Sequence, residues 1–285
     1  MFSKLSIRSS EYIEDEEHHL QVFHVYDPHA LTQAVGYAKY KIAEENKSSV
    51  FLRGQSTLYQ SFSPTLYRIC KSEQCQQNQQ NNINKYLDQL KSKNTIFSTF
   101  NSKAHEPLLQ HYGIKTSWID LVDNIWIALW FACNDAKPAG KFGEYLHFEK
   151  RESPANRIRA DYSYILLIET ETFNNKKEPG IHLGELTETV DLRVAVPSVF
   201  LRPHSQHGIL FRSRGNSGNR PIDYINHICG IIRVDLWNAL NWLGEGKLLD
   251  VHTLFPSPVY DSGYRILLEN GIQDSIVGKI SHIGA

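Results

Sequence analysis

Nine consecutive residues, Ile125 to Cys133 (IWIALWFAC), are apolar on every side of a helix, and this segment most constrains what the chain can fold into. A helix with no polar face must sit inside, so other elements have to close around it. Asp123 and Asn124 stand just before it, and either is of the type that caps a helix start. Upstream, the run Ser49-Val50-Phe51-Leu52 reads as a buried strand that delivers Arg53 into a turn opened by Gly54. A buried helix and a buried strand together predict a sheet with helices packed on it.

The rest of the chain extends that pattern. Ala30 to Glu45 places Leu31, Val35, Ala38 and Ile42 at helical intervals. A Gln/Asn-rich segment from Ser72 passes into a helix reaching about Phe100, and HEPLLQHYG predicts a short helix stopped at Gly113. Lys137 to Tyr162 is charged and turn-rich and reads as an exposed loop, whereas the following YSYILLIET reads as a buried strand. VAVPSVFLRP, SQHGILFRSRG and HICGIIRVDL read as successive strands around a Gly/Asn/Arg-rich loop, and DLWNALNWLGEG and YRILLENG as closing helices. No period of 20–50 residues repeats, which excludes solenoids and propellers. The expected architecture is an N-terminal extension over residues 1–29 and a single α+β domain over 30–285. Its motif core spans about residues 48–212, with mixed or antiparallel sheets forming a central cleft among helices.

Thirty basic and 31 acidic residues leave a net charge of −1, so any surface for phosphate must be local. The four cysteines lack the spacing of a zinc site, and Cys70 and Cys75 are expected as reduced thiols in a cytoplasmic protein. No apolar run has the length of a signal peptide or a membrane span, so no membrane partner is expected.

Polar groups cluster around the apolar helix. A strand-end Arg53 offers a rigid fork of donors for phosphate, and Gly54 allows close approach; the alternative is that Arg53 pins a carboxylate such as Asp120. Gln110, His111 and Tyr112 lie at a helix end, where at most two of three successive residues are expected to face one pocket. His111 is the candidate for moving a proton, with Gln110 and Tyr112 orienting a ligand. Thr116, Ser117 and Asp120 lie between apolar helices and must be paired or face a cleft; Asp120 can align an imidazole, accept from ribose hydroxyls, cap a helix or fix Arg53. Farther on come Arg202, Gln206 and Gly208, flanked by His204 and His207 without a third metal ligand. Trp118, Trp126, Trp130 and Phe131 can stack a base, but Trp126 and Trp130, one helical turn apart, are more simply core.

FLRGQS (Phe51–Ser56), QHYGIKTSWID (Gln110–Asp120) with its following Ala-Leu-Trp-Phe-Ala helix, and RPHSQHGILF (Arg202–Phe211) together resemble the FRG domain family. That family is named for an aromatic-Arg-Gly motif and carries a QHYG-x-x-T-x-x-x-D segment. Ser117 and Trp118 stand where the family commonly has a basic residue and leucine. The layout is also similar, more weakly, to ADP-ribosyltransferases, in which two small facing sheets form a cleft for NAD. That likeness implies that Arg53 clamps the dinucleotide, Thr116 and Ser117 shape the second strand and Gln206 takes the third position, where a Glu is usual. Gln206 cannot act as a base, which shifts stabilisation of an oxocarbenium-like state to Asp120 or a downstream acid.

The resemblances imply NAD as substrate and ADP-ribosyl transfer or NAD cleavage, in a toxin or phage-defence effector acting on protein or nucleic acid. His111, Asp120 and Gln206 are then the catalytic candidates. Arg53, Gly54, Gln110, Tyr112, Thr116, Ser117 and Arg202 are the candidates for holding the nucleotide. Two other functions fit the same residues: a non-catalytic nucleotide or nucleic-acid sensor, and a phosphodiester hydrolase working through His111 and Asp120. There is no GxGxxG after a strand, no GxxxxGK[ST] and no GxSxG, which leaves Rossmann, P-loop and α/β-hydrolase functions without their main signal.

Overall fold

The apolar segment forms a central helix, as its composition requires, and a nine-stranded sheet supplies one of its walls. The structure is a computed structural model and describes residues 1–16, 19–141, 144–152, 161–171, 178–214, 222–244, 247, 249–271 and 277–284. The chain begins with strands β1 (Ser10–Asp15) and β2 (Leu20–Val25), helix α1 (Pro28–Asn46) and β3 (Ser48–Gln55). Helices α2 (Thr65–Ile69), α3 (Glu73–Lys93) and α4 (His105–His111) follow, then β4 (Ile119–Val122) and the apolar helix α5 (Ile125–Cys133). The middle comprises β5 (Asn134–Ala139), β6 (Tyr145–Lys150), β7 (Tyr162–Glu171), β8 (Ile181–Leu183), β9 (Thr187–Asp191), α6 (Leu192–Ala195) and α7 (Arg202–Ser205). It closes with β10 (Gly208–Ser213), β11 (Ile228–Asp235), α8 (Leu236–Trp242), α9 (Val251–Leu254), α10 (Ser262–Glu269) and β12 (His282–Gly284).

The large sheet runs β1-β2-β11-β7-β3-β4-β10-β9-β8. Its neighbours are antiparallel except β2 with β11. Strand alternation divides the core: Val50, Leu52, Ile165 and Leu167 face α1, α5 and α8. Tyr164, Leu166, Ile168 and Phe211 face the opposite side with Leu58, Phe62 and Leu66. Strand β7 is therefore buried on both faces, which explains its unbroken apolar run. A third cluster joins α3, α4 and α10 through Ile83, Leu90, Leu108 and Leu267.

Several expectations change. Residues 1–29, read as an extension, carry two strands of the large sheet, and Phe23 and Val25 lie in its core. Part of the expected loop over Lys137–Tyr162 is the β5–β6 hairpin of a separate three-stranded sheet, β12-β6-β5. Pro138 is tolerated because β5 is its edge strand. Residues 142, 143 and 153–160 of that loop, and 215–221 of the Gly/Asn/Arg-rich loop, lie outside the described residues. VAVPSVFLRP forms no strand: Asp191 caps α6 by accepting from the Arg193 N–H, and Pro203 sits in the first turn of α7. Cys70 and Cys75, expected as thiols, are joined in a disulfide. The chain reverses between the end of α2 and the start of α3, bringing their Cα atoms to 5.3 Å.

Asn124 rather than Asp123 caps the central helix, accepting from the N–H groups of Trp126 and Ile127. Asp123 instead pairs with Lys39 of α1 and Arg193. The most consequential feature of the sheet is a near-break at its middle. Strands β3 and β4 share a single registered pair, Leu52 with Val122. By contrast, β3 pairs with β7 over eight residues and β4 with β10 over four. Beyond Leu52 and Val122 the two strands part, and the residues at the mouth of the gap are Arg53 and Gly54 on one side and Asp120 and Leu121 on the other.

Candidate functional site

A cavity of about 670 Å³ opens where β3 and β4 part. Its inner wall is the sheet and the end of α4, and its outer wall includes Leu146 and Phe148 of β6 and Ile283 of β12. A second cavity of about 290 Å³ lies alongside, bounded by Tyr59, Thr65, Arg68 and Trp118. The two share Arg53, Gln110, Asp120, Phe131 and Asn134 on their walls. Both volumes are in, or just below, the range of small-molecule sites.

Asp120 is the hub. Gln110 Nε2 donates to its Oδ2 at 2.9 Å, and His111 Nδ1 lies 2.9 Å from its Oδ1. An ionised carboxylate can only accept, so the proton of this contact belongs to Nδ1, and in the neutral imidazole Nε2 then carries the lone pair. Arg53 Nη1 spans the gap between the strands and donates to the main-chain carbonyl of Asp120 at 2.7 Å. The guanidinium thus fixes the Asp120 backbone, leaving the carboxylate to Gln110 and His111. Burial alone raises the Asp120 carboxyl, but the hydrogen bond and charge of His111, the Gln110 amide and Arg53 together hold it below the ordinary carboxylate value. The Asp120 side chain lies deep in the fold yet keeps 36% of its accessible surface, which it presents to the cavities. His111 keeps only 3%, and its Nε2 has no hydrogen-bond partner.

Gln110 is held in turn by Thr116, whose N–H and Oγ1 donate to its Oε1 at 3.1 and 2.8 Å. This orients the amide so that its nitrogen faces Asp120. Gln110→Glu keeps the acceptors but sets one carboxylate against another; unfolding free energy at neutral pH is expected to fall by about 1–3 kcal/mol. Urea denaturation measures this, and an unchanged midpoint with unchanged slope would mean that the Gln110–Asp120 contact contributes nothing.

The glycines do other work than the sequence suggests. A Cβ on Gly54 would lie 1.7 Å from the Ala128 carbonyl oxygen, so the missing side chain lets α5 pack against β3. A Cβ on Gly208 would come within 2.8 Å of His111 Cε1; its missing side chain makes room for the imidazole.

The three motif segments converge. Arg53, Gly54, Gln110, His111, Tyr112, Asp120, Arg202 and Gln206 all line the larger cavity. Gln110, His111 and Tyr112 do so together, against the expectation of two at most, because α4 ends at His111 and Gly113 turns the chain at φ +111°. Tyr112 donates its hydroxyl to Asp261, and burial pushes that phenol well above its ordinary value. Gln206 Nε2 donates to the Leu254 carbonyl and ties α7 to α9. Thr116 and Ser117 line neither cavity: Thr116 holds Gln110 and the Trp118 N–H, and Ser117 receives the Tyr224 hydroxyl on its carbonyl. Phe131 and Trp118 reach cavity walls, while Trp130 is in the core. Burial raises the Cys133 thiol to about 11.

Arg68, Lys115, Phe148 and Phe255 also line the site and were not anticipated. Lys115 stands one residue before Thr116 and supplies a cation where the Thr is followed by Ser117. Arg68 lies on a five-residue helix with no motif around it, Phe148 comes from the segment that reads as an exposed loop, and Phe255 directly follows α9. Among the described residues, no group of three His, Cys, Asp or Glu side chains is arranged to hold a metal ion.

The FRG domain family model matches residues 48–141, from β3 through β5. That stretch contains Arg53, Gln110, His111 and Asp120; Arg202 and Gln206 are added from outside it. No curated protein and no solved structure matches the chain. The strands bearing Arg53 and Asp120, and the strand following Gln206, are neighbours in one sheet. They do not lie in two facing sheets, so the cleft of the ADP-ribosyltransferase comparison is replaced by a gap within a sheet.

Proposed function

In this chain, which carries an FRG domain over residues 48–141, we propose a site that binds a dinucleotide and cleaves it, with NAD as the substrate whose chemistry fits best. One observation carries this reading: Arg53 stands where two cavities meet, with aromatic faces on either side. A ligand with charge in its middle and a ring at each end matches that order. The pyrophosphate would lie at Arg53, one ring among Phe131, Phe148 and Phe255, and the other by Tyr59 and Trp118. Burial lowers the Arg53 guanidinium from its ordinary value, against the pull of Asp120, but arginine remains charged at neutral pH.

In the proposed reaction the bond between ribose C1′ and the nicotinamide nitrogen breaks, and its electron pair leaves with nicotinamide. Asp120 faces the positive charge that develops on the ribose. A water, or an acceptor hydroxyl on a protein or nucleic-acid target, then attacks C1′ and gives its proton to His111 Nε2. Asp120 holds the resulting imidazolium. Such modification of a target is the activity expected of a toxin or phage-defence effector. The hydrogen-bonded His111–Asp120 pair favours a second reading, in which the same base activates water against a phosphodiester.

Incubation of the protein and its Arg53→Gln form with NAD tests this, following nicotinamide release together with binding by calorimetry. The expected result is Arg53-dependent release, with affinity for NAD reduced about 10- to 100-fold in the variant. Binding without release would make the site a sensor. Neither binding nor release would remove the NAD reading and leave phosphodiester hydrolysis to be assayed on dinucleoside phosphates.

A further inference from the structure

Arg202 is a buried cation without a carboxylate. Its residue is only 3% exposed, and among the described residues its guanidinium forms no ion pair. Asp261 accepts from the Arg202 main chain, but its carboxylate is shared with other donors: it accepts from the Tyr112 hydroxyl and from the N–H groups of Arg202 and Tyr264. Aromatic rings enclose the guanidinium instead. Its centre is 4.3 Å from the ring of Tyr112, 4.4 Å from that of Tyr264 and 5.4 Å from that of Phe255.

Stacking satisfies the faces of a guanidinium and leaves its edge. On Arg202 that edge is unused: Nε and Nη2 are both buried and without a hydrogen-bond partner. These two donors point the same way and form the side-on fork that takes two oxygens of one anion. A desolvated cation with unmade hydrogen bonds is costly unless something supplies the acceptor. Arg202 also lines the 670 Å³ cavity, whereas the 290 Å³ cavity includes Arg53 but not Arg202. The larger chamber therefore holds two arginines, with distinct surroundings.

We infer that Arg202 forms a second anion subsite, and that the ligand carries a further anionic group besides the one bound at Arg53. The shared chemistry is an anion presenting two oxygens to one guanidinium edge. A dinucleotide can carry it as a phosphomonoester on a ribose, as in NADP, or as a carboxylate on the pyridine ring, as in nicotinic acid adenine dinucleotide. Resting on the proposed function, this makes the preferred substrate a dinucleotide with an extra anion rather than NAD itself.

Calorimetric titration of the protein and its Arg202→Gln and Arg202→Lys forms with NAD, NADP and nicotinic acid adenine dinucleotide tests the inference. One of the two more anionic ligands is expected to bind about tenfold or more tightly than NAD, the gain of a charge-assisted pair of hydrogen bonds. Which one does so distinguishes phosphate from carboxylate. Arg202→Gln should bring the ratio of affinities close to one, and Arg202→Lys, which keeps the charge and loses the fork, should leave it in between. Equal affinity for all three ligands in the unaltered protein, or a preference that survives Arg202→Gln, overturns the inference.

If no dinucleotide binds, the dinucleotide reading fails separately, and inorganic phosphate decides the subsite. A rise in melting temperature with phosphate that is lost on Arg202→Lys supports the subsite, and no such rise overturns it. Far-UV circular dichroism keeps a misfolded variant from being counted as a result.

Discussion

Gly54→Ala is expected to destabilise the protein by about 3 kcal/mol or more, or to abolish soluble expression. The new methyl would fall 1.7 Å from the carbonyl oxygen of Ala128, 2.8 Å from its carbon and 2.9 Å from the Ala132 nitrogen. All three are main-chain atoms of the central helix, so no side-chain rotation relieves the clash. Either α5 moves off β3, uncovering Leu52 and Leu167, or the strand bends away from the registry it keeps with β7 over eight residues. Chemical denaturation measures the loss. A stable Gly54→Ala protein with altered ligand affinity would show instead that the glycine serves the cavity. The contrast with Arg53 is informative, since adjacent residues of one motif then act separately, one on packing and the other on the ligand.

Asp120→Asn should leave the fold and ligand binding largely intact while reducing nicotinamide release by about 10⁴-fold, the size seen when the acid of a hydrogen-bonded His–Asp pair becomes an amide. Arg53 donates to the main-chain carbonyl of residue 120, which the substitution retains. What is lost is the carboxylate that fixes the proton on His111 Nδ1 and that, in the proposed reaction, would face the ribose. Nitrogen NMR of His111 gives a readout independent of turnover: the Nδ1–H tautomer should dominate in the unaltered protein and lose that dominance in the variant. A variant with full activity and unchanged tautomer would remove Asp120 from the chemistry.

The same substitution has a predicted pH signature. The Asp120 carboxyl is held below its ordinary value in the folded chain. Its contribution to stability is therefore complete above the unfolded-state value, about 3.9, and is lost as pH falls through the lower folded value. As pH falls below about 4 the unaltered protein should lose more stability than Asp120→Asn does. Parallel losses would mean that other carboxylates account for the acid limb.

Much of the site could be read along the chain because its chemistry is local. Arg53 late in a strand, His111 and Gln110 at a helix end and Asp120 nine residues beyond His111 each occupy positions where a polar group must find a partner or a cleft, although β3 runs on through Gly54 to Gln55 where the sequence predicts a turn. The roles of Gly54 and Gly208 could not be read this way. A missing Cβ looks the same whether a ligand, an imidazole or another helix fills the space, and only packing showed that Ala128 and His111 do so. Arg68, Phe148 and Phe255 were hidden because distant segments supply them through tertiary contacts that no local spacing records.

The strands of Lys137–Tyr162 were masked by charge. A thin hairpin at the surface exposes much of its length, and only the alternation of Leu146 and Phe148 reveals an inward face. Conversely, the apolar residues of VAVPSVFLRP suggested a strand, but its prolines and the cap at Asp191 turned it into two short helices. Cys70 and Cys75 came together because α2 and α3 meet at a reversal, a consequence of element lengths and not of cysteine spacing.

By itself the sequence determined that a helix apolar on every side lies at the centre, that a buried strand carries Arg53, and that both lie in the segment, residues 48–141, that the FRG domain model matches. Hydrophobic periodicity and desolvation cost act residue by residue and so are written locally. Tertiary structure alone decided that β3 and β4 part after one shared pair, that three distant motifs line the resulting gap, and that Arg202 is left among aromatic rings with an unused edge. Those features depend on strand order and packing between segments about 50 to 150 residues apart, where each group's partner is set by the whole fold.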